Sequence, residues 1–167
     1  MSAIDTNILV RFIVRDDASQ CDKVNRLIRI HAELGEPIAV PVTVVLELEW
    51  VLRARFKFSK EVVLSTFDML MAAEEIGFES LLAVKVALFA YRQCSADFAD
   101  CLHLALVAYA GECPMLTFDR KAAQMNGSRL LSSELLDDLE LLARQSREGF
   151  ESTGVGGPVS QSSTTSH

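Results

Sequence analysis

Ser95-Ala96-Asp97-Phe98-Ala99-Asp100-Cys101-Leu102-His103-Leu104-Ala105 sets two carboxylates into one of the most apolar parts of the chain. Residues three apart share a helix face. A helix here points Asp97 and Asp100 the same way, with Phe98, Leu102 and Ala105 lining an adjacent apolar face. Like charges beside a core are costly unless a cation or a proton offsets them. The spacing therefore predicts one wall of a metal site, and other segments must supply the remaining walls. His103 continues the three-residue series and reads as a rim or core histidine in preference to a ligand.

Downstream, Gly111 closes this helix, Pro114 punctuates, and Met115–Phe118 reads as a buried strand ending at Asp119. Arg129–Leu131 reads as an edge strand, and Ser132 or Ser133 caps a last helix. Upstream, Ser80 begins a helix whose inward face is expected to carry Leu82, Val86, Phe89 and Ala90. Ser59 starts another, running to a stop at Gly77, and Phe78-Glu79 forms a very short strand. Ile38–Val40, between Pro37 and Pro41, suits a buried strand, with Thr43 capping the helix that follows. A helix from Ser19 ends near Gly35, and at the start Ala3-Ile4 runs into the capping residues Asp5-Thr6-Asn7 before an apolar helix to Val14. Strands alternating with helices imply an α/β fold with a mostly parallel sheet covered on both faces.

The 167 residues, half of them apolar, suffice for one domain with a real core. Residues 1–131 form that domain in this reading, 132–148 a C-terminal helix, and 149–167, rich in Gly, Ser and Thr, a disordered tail. The net charge of −7 repels nucleic acid, so phosphate binding needs metal ions or a local basic patch. Arg53, Arg55, Lys57 and Lys60 form the densest basic cluster, read chiefly as complementing a helix C-terminus. The four cysteines lie in apolar surroundings without C-x-x-C spacing and read as reduced thiols of a cytoplasmic protein. No secretory leader and no membrane span is expected.

Asp5 and Asp119 each directly follow an expected strand, and ligands of open parallel sheets bind at the carboxyl edge of the strands. Glu47 lies one turn into the helix after Ile38–Val40, so its helix start, like that of Asp97 and Asp100, leads to the same edge. Oxygen ligands without a histidine cage favour Mg2+ or Mn2+, which suit phosphodiester hydrolysis.

The segments Ala3-Ile4-Asp5-Thr6-Asn7-Ile8-Leu9-Val10-Arg11, Leu46-Glu47-Leu48-Glu49-Trp50-Val51-Leu52, Asp97-Phe98-Ala99-Asp100 and Thr117-Phe118-Asp119-Arg120-Lys121 resemble the four acidic motifs of the PIN domain, in the family's order. The likeness is greatest to VapC-type ribonuclease toxins of type II toxin–antitoxin systems. This resemblance implies a three-layer α/β/α sandwich, a Mg2+-dependent (or Mn2+-dependent) endoribonuclease acting on RNA, a cognate antitoxin that blocks the acidic pocket, and a homodimer. Carried over by position, Asp5, Glu47, Asp100 and Asp119 form the catalytic quartet, with Asp5 and Asp100 as metal ligands and Asp97 as an auxiliary acid. Thr6, Asn7 and Thr117 would hydrogen-bond around them, and Arg120 and Lys121 would meet substrate phosphate. Phe56 and Phe58 are candidates for the dimer contact, and Trp50 reads as core or interface packing ahead of base stacking.

Two other readings compete. One is a PIN nuclease of RNA processing or DNA repair, and the other a catalytically silent PIN-like binding module. A phosphoaspartyl phosphatase is disfavoured, because its second acid would stand where this chain has Asn7.

Overall fold

Short parallel strands alternate with helices, as the pattern of the chain requires. The structure, a computed structural model, describes residues 2–152, and the chain divides into two units, Met1–Leu130 and Leu131–His167. In the first unit the order is α1 (Thr6–Val14), α2 (Ala18–Leu34), β1 (Ile38–Val40), α3 (Val42–Ala54), α4 (Lys60–Ala72), β2 (Ile76–Phe78), α5 (Leu81–Gln93), α6 (Phe98–Ala110), β3 (Met115–Thr117) and β4 (Ser128–Leu130). A short 3-10 turn, Ala122–Gln124, lies between the last two strands.

β1 pairs parallel with β2, Ala39 opposite Gly77, and Ala3 bridges to Ala39 from the other side. β3 pairs parallel with β4, Thr117 opposite Leu130. The parallel α/β arrangement expected from the sequence is present, its strands hydrogen-bonded as two pairs of three-residue strands. Parallel strands need crossover connections, and the intervening helices supply them.

α3 organises the unit. Val45, Leu48 and Leu52, spaced three and four residues apart, are fully buried, and the helix packs on α1, α4 and α6. Around it Phe67 and Phe98 stack with ring centroids 5.7 Å apart, and Tyr91 meets Phe98 edge-on at 5.6 Å. Burial of this kind is worth roughly 25 cal/mol per Å² of apolar surface, so the buried face of α3 helps anchor α1, α4 and α6. Gly35 and Gly111 end α2 and α6 at φ of 65° and 78°, left-handed values that a residue with Cβ takes only at a cost.

The structure corrects four expectations. α5 buries Ala83, Val84, Ala87, Leu88 and Tyr91 and exposes Leu82, Val86 and Phe89. Both stripes are apolar at helical spacing, and the small Ala83 and Ala87 let the helix approach its neighbours closely. α3 begins at Val42, before Thr43, and the Val42 N–H donates to Glu79 Oε2 at 2.9 Å, so the cap comes from a distant segment. α4 stops at Ala72, and Gly77 lies in β2. β3 is covered on one side only: Met115 and Thr117 are half-buried while Leu116 is 45% exposed, the alternation of a strand with one open face.

In the second unit Ser132 caps α7 (Ser133–Ser152), its Oγ accepting from Leu135 N at 3.2 Å. The helix continues four residues into the stretch assigned to a tail, which begins at 149; residues 153–167 of that stretch lie outside the described residues.

Candidate functional site

Ala3, Ala39 and Gly77 stand level across three parallel segments, so two residues further along Asp5, Pro41 and Glu79 mark the carboxyl edge. Asp5 caps α1 there: Oδ1 accepts from Ile8 N at 3.0 Å, and Oδ2 receives a 3.4 Å bond from Asn7 Nδ2. An acid at a helix start is stabilised by the unpaired N–H groups and the positive end of the helix dipole. The cap leaves Oδ2 with one long contact, so the same carboxylate keeps lone pairs free to accept a further hydrogen bond or to ligate a cation.

Thr6, buried in the next position, donates its hydroxyl to Glu47 Oε2, a hydrogen bond that ties the start of α1 to α3. Glu47 is therefore oriented by the residue beside Asp5. Glu47 and Trp50, one turn apart, form a ridge between two clefts. The first, of about 530 Å³, is lined by Glu47, Glu49, Trp50, Arg53, Tyr91 and Asp97 among others. The second, of about 560 Å³, is lined by Thr6, Asn7, Arg11, Glu47, Trp50 and Arg55 among others. Asp5 and Asn7 border a third cavity of about 320 Å³ with Arg11 and Lys23.

Asp97 occupies the N-cap position of α6 without making a capping bond, and its side chain lines the first cleft instead. Asp100, in the first turn of α6, is half-buried. Asp97 thus stands in the same cleft as Glu47 and Glu49, whereas Asp100 lines none of these three cavities.

Asp119 is placed differently. Its Oδ1 accepts from Lys121 N at 2.6 Å and Ala122 N at 3.1 Å, and its own N–H donates to Thr117 Oγ1 at 3.0 Å. The N–H groups of Ala122 and then Lys121 hold its carboxyl below the usual range. Thr117 thus serves the turn that presents Asp119, and Arg120 and Lys121 are exposed beside it.

The residues present suit a hard divalent cation by donor type, since all four expected acids offer carboxylate oxygen. Among the described residues no three His, Cys, Asp or Glu side chains stand together as ligands. Mg2+ commonly takes only one or two carboxylates and completes its shell with water and substrate, so a two-acid set is chemically sufficient.

Three features escaped the sequence reading. Glu79 caps α3 from the strand edge, a position signalled by its place directly after a strand, as with Asp5. Glu49 is half-buried and accepts from the Tyr91 hydroxyl at 2.8 Å; burial raises its pKa against the lowering effects of Tyr91 and Arg53. Burial and the bond to Glu49 push the Tyr91 phenol well above its ordinary value. Trp50 is 65% exposed and so lies outside the core, one of the two packings expected for it, because α3 turns its Val45, Leu48 and Leu52 stripe inward.

The cysteines are free: Cys101 is buried, Cys21 and Cys94 half-buried, and Cys113 exposed. No helix among the described residues is long and apolar enough to cross a membrane.

No curated protein matches the chain. The family model of the PIN domain matches residues 3–128, a span that takes in Asp5, Glu47, Asp97, Asp100 and Asp119 and all of α1–α6. With strand edges, helix starts and acids falling in that one span, the chain belongs to the PIN-domain family, whose members are generally nucleases that bind nucleic acid and use divalent metals.

Proposed function

We propose that the protein is a Mg2+-dependent endoribonuclease, active also with Mn2+, and the cytoplasmic toxin of a toxin–antitoxin pair. The observation that carries this reading is the position of α3. It bears Glu47, receives Thr6 from the helix headed by Asp5, and packs on the helix that carries Asp97 and Asp100.

Asp5 and Asp100 would hold the ion. A divalent cation held there would supply Lewis-acid polarisation of a phosphate oxygen and activation of a water. Glu47, fixed at Oε2 by Thr6, keeps Oε1 to accept a hydrogen bond from the attacking water and orient it. Asp119 would assist at the same water, with its geometry set by two backbone N–H groups. Hydrolysis adds the water's oxygen to phosphorus and passes a proton to the leaving oxygen. Asp97, lining the cleft beside Glu47, would add field without ligation, and the exposed Arg120 and Lys121 would meet phosphate.

An acidic pocket on a protein of net charge −7 is a suitable target for a blocking antitoxin that offers cationic side chains. The exposed stripe Leu82, Val86 and Phe89 on α5 supports a homodimer, in place of Phe56 and Phe58, which are half-buried against the core.

The purified chain, freed of any partner, should cleave RNA with Mg2+ or Mn2+, and EDTA or Asp100→Asn should stop it. Asp97→Asn should slow it less. Cleavage unchanged in the double variant Asp5→Asn/Asp100→Asn would overturn the assignment.

A further inference from the structure

The clefts on either side of the Glu47–Trp50 ridge differ from an ordinary acidic pocket in what stands around the acids. Trp50 is 65% exposed and borders both clefts, so its ring is open to a ligand lying in either. Arginines stand among the acids around it: Arg53, 3.8 Å from Glu49 and donating to the Phe58 carbonyl, borders the first cleft, and Arg11 and Arg55 the second. Arg11 is held by Asp16 at 2.7 Å and Gln20 at 2.6 Å, while Arg55 lies over the Phe56 ring at 5.7 Å. Tyr91 also lines the first cleft. Tyr91 is fixed by Glu49 at 2.8 Å, by Phe98 at its edge and by Lys60 Nζ 4.2 Å above its ring.

From these residues we infer that Trp50 is the stacking platform for an unpaired base of single-stranded RNA, with the flanking phosphates drawn to Arg53 and Arg55. The inference rests on the nuclease reading above and names how that site would take its substrate. An aromatic face accepts any base, and guanidinium groups on both sides suit the phosphates before and after it. Glu47 lies one helical turn away on the same ridge, so a base on Trp50 sets its neighbouring phosphodiester beside the catalytic acids. A duplex, whose bases are already stacked, has no free face to offer.

Trp50 is the single tryptophan of the chain, so its emission reports on this contact alone. The full-length protein in EDTA, where no cleavage occurs, is titrated with a fluorescein-labelled single-stranded RNA heptamer. The same titration is made with its duplex and with an abasic ribose-phosphate heptamer. Binding is followed by anisotropy and Trp50 emission by quenching. The single strand should quench Trp50, and the duplex and the abasic chain should not. Trp50→Ala should weaken single-strand binding roughly tenfold and leave abasic binding unchanged, with Trp50→Phe retaining most of the affinity. In cleavage assays Trp50→Ala should raise KM more than it lowers kcat.

A single strand that binds while Trp50 emission and Trp50→Ala affinity stay unchanged overturns the inference. That outcome includes a cleft that serves a protein side chain instead, and it leaves the nuclease reading to stand or fall on Asp100→Asn. Failure of the single strand to bind at all overturns the inference too.

Discussion

Thr6 shows how much of the site depends on a residue that is itself no acid. It sits at the first position of α1, is buried, and donates a hydrogen bond to Glu47. Thr6→Val keeps the shape and removes the donor. A hydrogen bond to a charged group is worth roughly 1.5–3 kcal/mol, but Glu47 is exposed and regains water, so a loss nearer ~1 kcal/mol is expected in urea denaturation. Cleavage should fall by about tenfold as Glu47 loses its orientation, and Thr6→Ser should restore most of it. Asp119 yields a pH prediction at the same scale. Its carboxyl is held below the ordinary value by the N–H groups of Ala122 and Lys121, so the folded pKa lies under the unfolded one. The order that Asp119 lends its turn is then present above the unfolded pKa of about 3.9 and is lost as pH falls through the lower folded value. Amide exchange at Ala122, followed by NMR, should accelerate in that acid window, and Asp119→Asn should remove the pH dependence.

Among the elements, α3 depends on a cap supplied from 37 residues away. Pro41 precedes the helix and offers no capping side chain, so Glu79 is the acceptor for Val42 N. Glu79→Ala should cost about 1 kcal/mol, the usual worth of a lost N-cap, read as a lower melting temperature. Glu79→Gln, which keeps an acceptor, should cost less. The order of helices and strands was legible because capping residues and apolar runs are local signals: Ser59, Ser132, Gly35 and Gly111 act where the chain pattern places them. The inward face of α5 was not. Leu82, Val86 and Phe89 and the stripe of Ala83, Val84, Ala87, Leu88 and Tyr91 are both apolar at helical spacing, and no local rule chooses between them.

At the scale of the whole molecule, the face left outside on α5 becomes the testable feature. If Leu82, Val86 and Phe89 meet a second copy, Val86→Asp should convert a dimer into a monomer in sedimentation while leaving the fold intact, since Val86 is 57% exposed. A monomeric wild-type chain would remove that basis for the homodimer. The net charge of −7 sets a second constraint: the proposed function requires that RNA be drawn by a few arginines and an ion against the field of the whole protein. The sequence by itself determined the alternation of strand and helix, the acids that follow strands or open helices, and the family to which they belong. Periodicity, capping chemistry and motif order are all carried by near neighbours in the chain. Only the tertiary structure decided that Thr6 orients Glu47, that Glu79 caps α3, that Tyr91 holds Glu49 and that Trp50 faces outward. Those facts depend on which apolar face wins the contest for burial, and that choice is made between segments some forty residues apart, where local patterning has no say.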